Sequence, residues 1–195
     1  MSEPDLLYRR EFLESLRLLE RAFILVQQRG GQIPVIVGGA AVEYHSGGRI
    51  QSGDVDLVEG SEEVVAQALL DVGFRREDRQ GRLLRGFYFL GESFEVGVEL
   101  VSGALFDGRT DRARIELVSL ADNGKQVLLF PPVEDMIVDR LGQYEASRQA
   151  HDDMLEQARL LWLLAVELDL SYLAKRIRDE DGPAEWRDLL GDRNA

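Results

Sequence analysis

The tightest constraint on this chain lies between residues 33 and 58. An apolar run, Ile33-Pro34-Val35-Ile36-Val37, stops at Gly38-Gly39. A short apolar run bounded by glycines reads as a buried strand. Ala40-Ala41-Val42-Glu43-Tyr44-His45 then reads as a short helix and Gly47-Gly48 as a loop. In residues 54 to 58, Val55 and Leu57 alternate with Asp54 and Asp56, so this segment reads as a strand with one acidic face. Strand, diglycine, helix and acidic strand in close succession point to an α/β fold.

The flanking segments extend that pattern. Residues 4 to 29 carry Leu6, Leu7, Phe12, Leu16, Leu19, Phe23 and Val26 at spacings of three and four, which predicts an amphipathic helix. Ser2 and Pro4 suit its start, and Gly30-Gly31 its end. Ser61 caps a helix expected to run through Val72. Beyond Gly73 the period switches to two, and residues 83–90, 93–101, 113–120 and 126–130 read as strands, with Asn123-Gly124 as a hairpin turn. Pro131-Pro132 closes the sheet. Residues 132–145, 151–168, 171–180 and 183–190 read as helices. The expected architecture is a small, mixed, twisted sheet with flanking helices over residues 1–130, then a helical subdomain over 131–195. Tyr44, Trp162 and Trp186 read as core, His45 as a surface loop residue and His151 as the cap of the helix at Asp152.

Composition removes several kinds of chemistry. The chain has no cysteine and two histidines, His45 and His151, so disulfides, thiolate metal sites and histidine-rich metal sites are excluded. The net charge of −13 opposes broad binding to nucleic acid or anionic membrane. With no signal-like N-terminus and no long uncharged apolar stretch, a cytoplasmic protein is expected. The most basic stretch, Arg75 to Arg85, holds five arginines against two acids. The apolar faces of the first helix and of Leu160, Leu161, Leu163 and Leu164 could serve a homodimer, a partner protein or plain packing.

Three features could carry chemistry together. A diglycine after a strand lets backbone approach a ligand, and the free amides of the helix start favour an anion, although a tight turn uses the same residues. Asp54 and Asp56 project from one strand face, about 7 Å apart at their α-carbons. They could ligate divalent cations through oxygen or line a solvated face. Further on, Glu95, Gly97 and Glu99 alternate with Val96, Val98 and Leu100. If that strand lies beside the Asp54 strand, a glutamate joins the two aspartates, and three crowded carboxylates call for a cation.

Val37-Gly38-Gly39-Ala40-Ala41, followed by Arg49-Ile50-Gln51-Ser52-Gly53-Asp54-Val55-Asp56-Leu57, resembles the signature of the DNA polymerase β-like nucleotidyltransferase superfamily. The likeness is strongest to the small prokaryotic branch that includes the AbiEii-type toxins. It implies nucleotidyl transfer from a nucleoside triphosphate to a hydroxyl acceptor: a tRNA end, a protein or a small molecule, in a toxin–antitoxin system or elsewhere. It implies two Mg²⁺ held by Asp54, Asp56 and Glu99, with Glu95 as the alternative third carboxylate. Gly38 and Gly39 would seat the β and γ phosphates. Ser52, Arg49 and Arg140 would help bind the nucleotide, with Asp152, Arg82 and Arg85 as further candidates. The chain departs from the pattern in the 14 residues between Gly39 and Asp54, in a glutamate replacing the third aspartate, and in lacking an evident phosphate-gripping lysine. A site weakened in this way would suit a nucleotide sensor or partner-binding module instead. A sugar transferase would use Asp-x-Asp but leave the diglycine without a role.

Overall fold

A computed structural model describes residues 7–76, 87–89, 97–101, 103–120, 127–147 and 152–193 of the 195-residue chain. The first helix, α1, spans Arg10–Gln28 and buries Phe12, Leu16, Leu19, Phe23 and Val26, the stripe that its spacing predicts. It begins at Arg10 and not at residue 4; Ser2 and Pro4 lie outside the described residues. It ends as expected. Gly30 takes φ +71°, its amide bonds to Gln27 O and the Gly31 amide to Val26 O. This paired closure needs a left-handed residue after the last turn.

Next come β1 (Val35–Val37), α2 (Gly38–His45), β2 (Asp54–Val58), α3 (Glu62–Asp71) and β3 (Arg75–Arg76). They are followed by β4 (Phe87–Phe89) and β5 (Gly97–Val101). One sheet takes the order β1-β2-β5-β4-β3. β1 runs antiparallel to β2, β2 parallel to β5, and β4 antiparallel to both β5 and β3. The acidic strand is therefore internal, and its period-two pattern sorts the two faces. Val55 and Leu57 join Ile36 and Val98 in the main core beneath α1 and α3. Asp54, Asp56 and Val58 share the opposite face. There Val58 packs with Val35 and Leu105 in a second, smaller apolar cluster.

Three expectations are corrected here. The sheet is not one: β6 (Glu116–Val118) and β7 (Leu128–Phe130) form a separate antiparallel pair. Their connecting residues, with Asn123-Gly124, lie outside the described set. Residues 112–114 form a 3-10 turn and not the start of a strand, because the Asp111 carboxylate accepts the Ala113 amide. His45 is not a surface loop residue either. It ends α2 and is mostly enclosed, with Nε2 donating to the Pro131 carbonyl at 2.8 Å. Burial holds its pKa down near 4, so the ring is neutral.

Four helices follow: α4 (Val133–Ala146), α5 (Asp152–Leu164), α6 (Leu170–Asp179) and α7 (Trp186–Leu190). They continue the main core through Ile137, Leu141, Leu161, Trp162 and Trp186. Asp135 on α4 and Arg176 on α6 form a fully buried ion pair, 2.6 Å between Nε and Oδ1, and Tyr172 OH donates to the same carboxylate. Tyr44 is half-buried, stacked on Phe130 at 4.1 Å between ring centres. Among the described residues, no helix is long and apolar enough to cross a membrane.

Candidate functional site

The β2–β5 pairing supplies the juxtaposition on which the carboxylate reading depends. Asp54 lies opposite Gly97, and Asp56 opposite Glu99, in parallel register. Facing residues of adjacent parallel strands project to the same side, about 5 Å apart along the hydrogen-bond direction. Asp56 and Glu99 thus stand side by side, with Asp54 two residues along the same face, opposite Gly97, which carries no side chain. Glu95 lies outside the described residues, as do Arg82 and Arg85. Asp152 opens α5.

The diglycine closes this cluster at one end. Gly38 has φ +63°, and a β-carbon there would land on the Asp56 carboxylate. A β-carbon at Gly39 would land on the Ser52 hydroxyl. The first residues of α2 therefore lie against Asp56 and Ser52 with no room for any side chain. A helix N-terminus presents unpaired amides and a positive partial charge, so it lies beside the acidic cluster ready for an anion. Ser52 Oγ donates to the Asp54 carbonyl at 2.8 Å, which ties the loop end to the start of β2.

Electrostatics mark Asp56 as the pressed member. Its pKa is pushed up to about 6, first by burial, then by the negative charges of Glu99 and Asp54. The Arg140 guanidinium pulls it down, and Asp139 adds a smaller upward push. Arg140 is 5% exposed, not on a solvated helix face. Its Nη1 donates to Gln143 Oε1 at 3.1 Å and its Nη2 lies 3.5 Å from the Asp139 carboxylate as an ion pair, while Nε has no hydrogen-bond partner among the described residues. A buried guanidinium donor without an acceptor is costly and calls for explanation. Arg49 faces elsewhere: its Nη1 lies 3.4 Å from the Ser46 carbonyl, at the opposite end of α2 from Gly38.

A cavity of about 220 Å³ opens on the acidic face, lined by Gly38, Asp56, Val58, Phe106, Asp139 and Gln143. Asp139 accepts from Gln143 Nε2 at 3.0 Å, and burial raises its pKa. Phe106 and Asp107 both adopt left-handed backbone, φ +44° and +54°. Strain of that kind costs about 1–3 kcal/mol per residue and persists where the surroundings enforce it. Here Glu59 enforces it, accepting the Leu105 amide at 2.7 Å and pairing with Arg112. Sequence reasoning missed Asp139, Gln143 and Phe106 as cavity residues. The available signal was α4 itself, whose buried positions include Glu134, Asp135 and Arg140 among its apolar residues.

The donor set fits a hard divalent cation. Among the described residues no group of three or more carboxylates or imidazoles encloses a metal position. Mg²⁺ does not need such a cage, because it is commonly held by one or two carboxylates and completed by substrate phosphates. Asp56 and Glu99 side by side, with Asp54 adjacent, meet that requirement, and a cation would relieve the repulsion that raises Asp56.

With seven helices around small sheets among the described residues, the chain has a nucleotidyltransferase-like fold. Solved structures share it. The chain superposes on ANT(2'')-Ia, an aminoglycoside nucleotidyltransferase, in complex with adenylyl-2''-tobramycin, with a TM-score of 0.53, 14% identity, and 86% of this chain and 97% of that one covered. The solution structure of the antibiotic-resistance factor ANT(2'')-Ia gives a TM-score of 0.51 at 15% identity, with 85% and 90% covered. At such identities the likeness is one of fold. No protein-family model matches the sequence, and no curated protein matches it either.

Proposed function

We propose that the chain is a metal-dependent nucleotidyltransferase that moves a nucleoside monophosphate from a nucleoside triphosphate to a hydroxyl of a small-molecule acceptor. The observation that carries this reading is Asp56: paired across the strands with Glu99, covered by Gly38 and raised in pKa first by burial and then by its acidic neighbours. In this reading Asp54, Asp56 and Glu99 hold two Mg²⁺. Bound there, the ions would bring the acceptor oxygen and the triphosphate together and offset the charge of the pyrophosphate. The acceptor oxygen bonds to the α-phosphorus as the bond to pyrophosphate breaks. The amides at Gly38 and Gly39 seat phosphate oxygens, with Ser52 beside them. The buried Arg140 guanidinium supplies positive charge, and arginine offers phosphate a planar fork in place of a lysine point charge.

The acceptor sits in the 220 Å³ cavity, lined by Phe106, Asp139 and Gln143 beside Asp56. That volume suits one small ring or a short polyol. A net charge of −13 further disfavours a tRNA end. The adenylylated tobramycin in one neighbour supports a small-molecule acceptor. An AbiEii-type role in a toxin–antitoxin system is a narrower reading of the same chemistry, and the identity of the acceptor decides between them. The division into a catalytic core, 1–130, and a helical subdomain, 131–195, belongs to this proposal.

Calorimetric titration with Mg·ATP and Mg·CTP, before and after Asp56→Ala, tests the site. Binding lost in the variant is expected, and pyrophosphate release with a panel of amino-sugars and polyols is expected to follow. Equal binding by both proteins contradicts the site. Binding without pyrophosphate release from any acceptor supports the sensor in place of the enzyme.

A further inference from the structure

Glu43 is the one charged side chain on α2 before His45, and it is fully buried among Ala40, Ala41 and Val42. A buried carboxylate is expensive unless its oxygens are fully engaged. Both oxygens of Glu43 are. Oε1 accepts from Arg9 Nε at 2.8 Å, and Oε2 from Arg9 Nη2 at 3.0 Å and from the Ser52 amide at 2.7 Å. Arg9 Nη2 also donates to the Ser52 carbonyl. The ion pair therefore holds both backbone polar groups of one residue, and that residue is the one whose hydroxyl presses on Gly39 and bonds to the Asp54 carbonyl.

The loop needs such a hold. It contains Gly47 (φ +61°), Gly48 (φ +76°) and Gly53, three residues that lose much freedom when ordered. Ser46 Oγ fixes its start by accepting the Ile50 amide at 3.1 Å. Gly48 fits closely under the Leu7 carbonyl, where a β-carbon would collide. The N-terminal segment thus lies over the loop and delivers Arg9 to its far end.

We infer that Arg9 and Glu43 are a positioning pair that holds the Ser52 loop against the diglycine before nucleotide arrives, so that triphosphate binding does not bear the cost of ordering the loop. This rests on the nucleotidyltransferase reading and deepens it. Neither residue touches the phosphates; both act through Ser52.

The test uses the full chain, with Mg·ATP as probe, at a temperature where circular dichroism shows every variant folded. Glu43→Gln is expected to weaken Mg·ATP binding on the order of tenfold, the size of an ordering cost moved onto the ligand. Amide hydrogen exchange at Ser52–Asp54 is expected to speed up in the free variant and to slow again when Mg·ATP is added, a recovery that a purely structural defect would not show. Should Glu43→Gln fail to fold, Arg9→Lys serves, because it keeps the charge and loses the fork. Folded variants that bind within twofold of the parent, with unchanged exchange at those amides, overturn the pair's role and leave the site intact. A parent protein that binds no Mg·ATP overturns both this inference and the function it rests on.

Discussion

At the scale of single residues, the site is shaped by what is missing as much as by what is present. Gly38 has two reasons to be glycine: a left-handed backbone, which costs other residues about 1–2 kcal/mol, and the Asp56 carboxylate where a β-carbon would be. Gly73 has only the first, with φ +110° and open space around it. Gly38→Ala is therefore expected to lose at least as much stability as Gly73→Ala in thermal melts, while only Gly38→Ala loses Mg·ATP binding in calorimetry, by tenfold or more. Parallel losses of binding in both would show that Gly38 matters for folding alone. Asp56 shows the opposite economy: burial and the charges of Glu99 and Asp54 raise its pKa to about 6, a perturbation of the kind that clusters at functional sites.

At the scale of elements, strands and helices were legible where one period dominated. The α1 stripe, the Gly30-Gly31 stop and the residue-by-residue extent of β2 follow from the sequence pattern. The acidic face of β2 was legible for the same reason, because alternation sorts Asp54 and Asp56 from Val55 and Leu57. The pairing of β2 with β5 was not, since register is a long-range choice that one strand's pattern does not encode. Nor was the separation of the β6–β7 pair from the main sheet, although both strands fall within segments that alternation marks, and the two-residue β3 is too short for periodicity to register. Glu43 and Asp139 escaped because a lone acid on a helix reads as solvated, and both are placed by tertiary packing. Arg49 is held at the opposite end of its helix for a comparable reason, a local carbonyl within its reach.

At the scale of the whole molecule, stability should carry a pH signature from His45. Its folded pKa lies near 4, below the unfolded value of about 6.5. Between those values the unfolded chain binds more protons, so stability falls as pH falls through that window, by about 2–3 kcal/mol in all. Asp56, raised to about 6, acts in the opposite sense, gaining stability as pH drops through 6. Comparison with His45→Asn, which can still donate to Pro131, isolates the histidine. In urea titrations, the stability of the parent relative to this variant is expected to decline from pH 7 to pH 4.5. A constant difference across that range would mean that the imidazole stays accessible to protons in the folded state.

The account rests on a cation and a triphosphate meeting between two neighbouring strands and the start of α2. Diffraction from crystals soaked with Mn²⁺ and a non-hydrolysable triphosphate, read at the manganese absorption edge, tests that directly. The expected result is anomalous density between Asp56 and Glu99, with phosphate density at the amides of Gly38 and Gly39. Manganese bound elsewhere, or phosphates seated away from the diglycine, would contradict it.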